Sequence, residues 1–224
     1  MFPIKVTQPS YSRPAVTILL ISINLLVFLN EFWLGLVDPY SLNDFMAQYA
    51  LRPAYFRFEN VITSMFMHSG WMHFLGNMLF LWVFGDNIED ILGHSKYLLF
   101  YLLCGVAAAM AQVLMDPSSR VPMVGASGAI AGVMGAYLVK FPHSRVVMLT
   151  WFFVIFTFDL PAWLMLVYWF AMQVFGGFGQ ITQSASTQGG TAFFAHVGGF
   201  VCGIALIHLL GTRQRYWRRR DLSW

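Results

Sequence analysis

Six windows of this chain, about 14–36, 73–92, 97–115, 124–140, 161–177 and 192–210, are each apolar over close to the roughly 20 residues a helix needs to cross a bilayer. In hydrocarbon every backbone polar group must be satisfied internally, which leaves helices or a closed barrel. Windows of this length predict an all-α polytopic membrane protein with six transmembrane helices, one membrane domain over 1–224 with its core at 55–210. Composition agrees: 58% of the residues are hydrophobic and 10% charged, whereas soluble domains carry about a quarter charged residues. Lys5 and Arg13 precede the first window as they would in a secretory signal. That window is too long for a signal core and lacks a small-residue cleavage pattern, so it is predicted to be a retained helix.

The basic residues set the orientation. Lys5, Arg13, Lys96, Lys140, Arg145 and five arginines (Arg213, Arg215, Arg218, Arg219, Arg220) fall on one side of a six-span arrangement. Lys and Arg collect in short cytoplasmic loops, so both termini are predicted inside. Arg52, Arg57 and Arg120 fall outside, where Asp38, Asp44, Glu59 and Asp116 accompany them. The net charge of +3 thus concerns membrane orientation, and no nucleic-acid partner is predicted. Cys104 and Cys202 lie within apolar windows and support neither a disulfide framework nor a cysteine metal site. The run "VVMLTWFFVIFTF" at 146–158 is predicted to be an apolar inner loop at the interface, with Asp159 capping the next helix and Pro161 in its first turn.

Polar residues gather at the outer ends of three spans. Ser127, in "VPMVGASGAIAGVMGAY", is predicted about one turn inside the fourth span. His196, in "TAFFAHVGGF", lies about as deep in the sixth. "HSGWMHFLGNM" opens the second, with His73 and Asn77 one turn apart on one face. Such groups are costly in hydrocarbon unless they face the bundle or water. Gly128, Gly132 and Gly135 on the fourth span, and Gly199 and Gly203 on the sixth, form small faces that let helices approach closely. A serine beside an imidazole suggests nucleophilic catalysis, since serine needs a base within hydrogen-bond reach. Asn77, His73 and the Ser127 N–H could serve as donors to an oxyanion. The second, fourth and sixth spans hold no carboxylate at this depth, so a Ser–His dyad is predicted, with no cofactor. His68 and His73, five residues apart, share no helical face and have no carboxylate beside them, so no metal site is predicted.

"HSGWMHFLGN" at His68–Asn77, "GASG" at Gly125–Gly128 and "AHVGG" at Ala195–Gly199, in that order, resemble the rhomboid intramembrane serine proteases in their basic six-helix bacterial form. The resemblance covers about 55–210. It implies Ser127 as nucleophile, His196 as general base, and His73, Asn77 and the Ser127 amide as oxyanion hole. Gly125, Gly128, His68 and Gly199 would support them. It further implies transmembrane protein substrates in a lipid bilayer, and a bacterial cytoplasmic membrane with the site opening to the extracytoplasmic side. The fourth helix would be short and buried, the loop at 176–190 would act as a cap, and the first outer loop at 38–72 would lie partly in the membrane. Two departures stand out. Many relatives carry Trp-Arg where this chain has Glu59 and Asn60, and some place a tyrosine against the catalytic histidine where it has Ala131. The anchoring of the first loop must then come from other contacts, and the orientation of His196 from contacts such as Met134 or aromatic neighbours. A client-binding pseudoenzyme and a small transporter are the rival readings. Intact Ser127 and His196 argue against the first, and the lack of charged or broken helix interiors argues against the second.

Overall fold

The computed structural model describes residues 2–152, 154–182 and 191–211. Strand β1 (Phe2–Val6) precedes helix α1 (Ala15–Val37). Asp38 then starts α2 (Pro39–Tyr49): its carboxylate accepts the Tyr40 N–H at 3.0 Å, and Pro39 occupies the first turn, where no N–H is needed. The Ser41 hydroxyl and the Tyr40 N–H hold the Asp38 carboxyl below its ordinary range. A short turn at 53–55, α3 (Phe58–Thr63) and a second turn at 64–66 complete a first loop that is largely helical. Then come α4 (Trp71–Leu92), α5 (His94–Met115), α6 (Ser127–Lys140), strands β2 (Arg145–Phe152) and β3 (Val154–Pro161), α7 (Ala162–Thr182) and α8 (Phe193–Leu209).

Three of these helices are long and apolar enough to cross a membrane: α1, α5 and Ala162–Gly179 of α7. Helix α4 is as long as α5 but carries Asp86, Glu89 and Asp90 near its end. Helices α6 and α8 are shorter, 14 and 17 residues. The outer surfaces of α1 and α7 expose Leu26, Trp33, Leu36, Tyr168 and Phe175. Apolar faces this extensive mark lipid contact. The protein is membrane-embedded.

The segment at 146–158, expected as a loop, is instead a β-hairpin, and β1 adds to it in the antiparallel order β1-β2-β3. Valine, isoleucine, threonine and aromatic residues favour this pleated arrangement, and pairing with β1 satisfies a strand edge that a loop would leave open. The expected cap at Asp159 is corrected as well. Asp159 lies in β3, its carboxylate 3.4 Å from Arg145, and Pro161 ends the strand. Helix α7 needs no side-chain cap, because the Ala162 and Trp163 N–H groups donate to the carbonyls of Ser144 (2.8 Å) and Pro142 (3.1 Å).

Helix α6 is the centre of the bundle, with every residue from Gly128 to Tyr137 buried. Its contact with α8 is backbone against backbone. A Cβ on Gly199 would run into the Gly128 carbonyl, and one on Gly203 into the Gly132 carbonyl. Without aqueous hydrophobic driving force between helices, such close small-residue faces supply the packing.

The opposite end of the bundle, away from the α6 N-terminus, is tied by carboxylates of α4. Glu89, fully buried, accepts the Val16 and Thr17 N–H groups and the Thr17 hydroxyl, each at 2.8 Å, and contacts His94 Nδ1 at 2.6 Å. It thus caps α1 from another helix. Asp90 accepts the Tyr11 N–H at 2.8 Å and pairs with the Ser12 hydroxyl. Glu89→Gln replaces an acceptor with an NH2 facing donors, so the variant should lose about 2 kcal/mol. A thermal-unfolding midpoint in detergent equal to that of the parent would show that the α1 N-terminus is capped by something else.

Candidate active site

Ser127 is the first residue of α6, one turn closer to the helix end than the apolar window suggested. The reason is Gly125, whose φ of +123° is closed to most side chains and breaks the helix two residues earlier. The preceding segment is fastened to the first loop. Leu51 and Met123 exchange N–H···O bonds of 3.2 and 2.7 Å, and the Gly125 N–H donates to the Ser64 carbonyl at 2.9 Å. Asn60 anchors that loop from within: buried, its amide donates to the Ala50 carbonyl at 2.9 Å. As the first helical residue, Ser127 has an N–H without an intrahelical acceptor. At about 1.5 Å per residue, α6 is some 21 Å long, shorter than the hydrocarbon layer.

His196, in the first turn of α8, is buried, and its Nε2 lies 2.8 Å from the Ser127 hydroxyl. The close approach of Gly199, one turn beyond His196, to the carbonyl of Gly128, the residue after Ser127, sets this separation. On the far side of the ring, Nδ1 lies 2.8 Å from Gln173 Oε1 of α7. Trp169, one turn before Gln173, lies against the ring with centroids 5.6 Å apart at 37°. Ala131 is fully buried in α6.

His73 and Asn77 flank Gly125: a Cβ there would meet the His73 ring at 2.7 Å and Asn77 Nδ2 at 3.5 Å. The Ser69 N–H donates to His73 Nδ1 at 3.5 Å, with the Ser69 hydroxyl 3.1 Å away. An N–H can only donate, so Nδ1 is the acceptor and Nε2 carries the proton, facing Gly125. Asn77 Nδ2 is buried and makes no hydrogen bond among the described residues.

Ser127, His196, His73, Asn77, Gly125 and Gly128 all line one cavity of about 1300 Å³ at the N-terminal ends of α4, α6 and α8. Neither His68 nor Gly199 lines it. His68 is buried against Phe28 and Phe74, with its ring 5.2 Å from that of His73, and its N–H donates to Glu31 Oε2 at 3.0 Å. Gly199 lies beneath the cavity. Among the described residues no three His, Cys, Asp or Glu side chains gather to hold a metal. The stretch expected to form a cap at 176–190 begins as the last turns of α7, through Thr182, and 183–190 lie outside the described residues.

Two contributors were not anticipated from the sequence, Gln173 and Ser69; the aromatic neighbour expected against His196 is Trp169. Gln173 lies in the fifth window, outside the three spans that supplied the candidate polar side chains. An amide inside "YWFAMQVFGG" was the available signal.

The family model described as Rhomboid domain matches residues 55–213. The chain is 29% identical over 170 residues to Rhomboid protein 1, mitochondrial, of Saccharomyces cerevisiae, covering 73% of this chain and 45% of that protein. It is 33% identical over 127 residues to Rhomboid protease GluP of Bacillus subtilis, covering 56% and 24% respectively. With Rhomboid-like protein 11, chloroplastic, of Arabidopsis thaliana the identity is 34% over 125 residues, covering 54% and 41%. The match spans less than half the length of each of these relatives.

Proposed function

The chain belongs to the rhomboid family, and on that premise we propose that it is a serine endopeptidase cleaving transmembrane proteins in or near their membrane segments through a Ser127–His196 dyad. The observation that carries this reading is the 2.8 Å contact between His196 Nε2 and Ser127 Oγ at a cavity that Asn77 and His73 also line. His196 takes the Ser127 proton as Oγ attacks the scissile carbonyl carbon. The resulting oxyanion is held by the Ser127 N–H, Asn77 Nδ2 and His73 Nε2–H. Collapse of this intermediate breaks the C–N bond, and His196 returns the proton to the leaving amine. Water from the cavity, deprotonated by His196, then hydrolyses the acyl-serine ester.

The substrate segment must unwind locally, because a regular helix occupies its carbonyls in hydrogen bonds. Residues of low helix propensity at the cut site lower that barrier. We place six spans in the membrane, α1 and α4 to α8, with the sheet on the basic, cytoplasmic side. In the bacterial form of the family this opens the cavity to the extracytoplasmic face of the cytoplasmic membrane. The test is labelling of the purified chain by a fluorophosphonate, alongside cleavage of a generic transmembrane substrate in liposomes. Both should occur, and absence of both in well-folded protein would discard the protease reading.

A further inference from the structure

Only one imidazole tautomer can act as a base toward Ser127: Nε2 must hold the lone pair, with the proton on Nδ1. Free imidazole side chains in water prefer the opposite form, so something must impose this one. Here Nδ1 meets Gln173 Oε1 at 2.8 Å. The orientation of that amide is itself determined. Gln173 Nε2 donates to the Trp169 carbonyl at 3.2 Å, one turn back on α7. A carbonyl can only accept, so the NH2 faces Trp169 and the oxygen faces His196. An amide oxygen can also only accept, so the proton resides on Nδ1. Two acceptor-only groups in series thereby select the tautomer. Gln173 is 8% exposed, so water competes little for these bonds.

Resting on the serine-protease reading, we propose that Gln173 is the positioning residue of this site, an uncharged third member behind the Ser127–His196 pair. Its neutrality suits its place. A carboxylate would bring a second charge into the bundle, with a desolvation penalty, whereas the amide oxygen orients the ring without one. The same Nδ1–H···O bond persists when His196 becomes an imidazolium during attack, and a bond to a charged donor is the stronger kind. Trp169 limits rotation of the ring from its face, so α7 supplies both restraints on the base.

The test compares the parent chain with Gln173→Met, which keeps length but offers no acceptor oxygen, and Gln173→Glu, which keeps one. Each is reconstituted in liposomes and read by kcat and KM on a transmembrane substrate, by fluorophosphonate labelling rate, and by the ¹⁵N shifts of the His196 imidazole. Gln173→Met should lower kcat and labelling rate roughly ten- to a hundredfold at unchanged KM, and should convert a single Nδ1–H signature into a mixture. Gln173→Glu in its uncharged acid form keeps both bonds, its O–H donating to the Trp169 carbonyl and its C=O accepting from His196 Nδ1, and should retain that signature and most of the turnover. A Met variant with parental kcat, or a Glu variant falling as far as the Met variant, overturns the assignment. The ¹⁵N measurement does not depend on activity. A parent chain in the Nε2–H form sinks the role of Gln173 even if the enzyme cleaves. A parent in the Nδ1–H form that is neither labelled nor active sinks the protease reading and leaves the tautomer assignment standing.

Discussion

Ser127→Ala is expected to reduce cleavage of a transmembrane substrate by roughly 10⁴- to 10⁶-fold, the range seen when a serine nucleophile or its paired base is removed elsewhere. The loss should be confined to chemistry. Ser127 contributes one hydroxyl at the head of α6, and its side chain caps nothing: the first intrahelical bond there, Ile130 N–H to the Ala126 carbonyl at 3.0 Å, involves backbone alone. The alanine variant should therefore stay folded, less stable only by the lost Ser127–His196 bond, and still bind substrate, while fluorophosphonate labelling disappears. His196→Ala should fall as far, because the two groups act as one unit and their losses do not add. A Ser127→Ala protein that still cleaves at a tenth of the parental rate would place the nucleophile elsewhere.

Asn77→Ala carries the second largest expected effect, about a hundred- to a thousandfold in kcat, as for the loss of one oxyanion donor in other serine hydrolases. Little of it should appear in KM, since the oxyanion exists only along the reaction path. Asn77 Nδ2 makes no hydrogen bond among the described residues, so loss of that donor forfeits none there. His73→Ala differs in one respect. Its Nδ1 accepts from Ser69, so its loss also frees the start of α4. Unchanged kcat with raised KM in Asn77→Ala would turn that residue from a transition-state donor into a substrate contact.

How much of this was legible beforehand differs from element to element. Ser127, His196, His73 and Asn77 were found by counting depth along apolar windows, and the structure brings those four side chains to one cavity. Depth counting succeeds because a membrane holds each helix to a common axis, so position along the chain converts directly into height. The same count misplaced the start of α6, because an apolar window cannot register the positive φ at Gly125. Asn60 was marked as a departure, but its bond to the Ala50 carbonyl, which anchors the first loop, is a lateral contact that depth does not contain.

Apolar run length, basic loops and three short motifs, all local in the chain, were enough to determine a mostly helical membrane protein of the rhomboid family. Lateral relations between elements were decided only in three dimensions. The hairpin at β2 and β3 needed β1, more than a hundred residues earlier, to complete a sheet; the run alone was equally compatible with a loop at the interface. Asp159 was free to pair with Arg145 once backbone carbonyls had taken over the start of α7. Gln173 meets His196 because α7 and α8 pack side by side at one rotation about their axes. That rotation is set by interlocking side chains on facing helices, an angular coordinate that depth along the membrane normal does not contain.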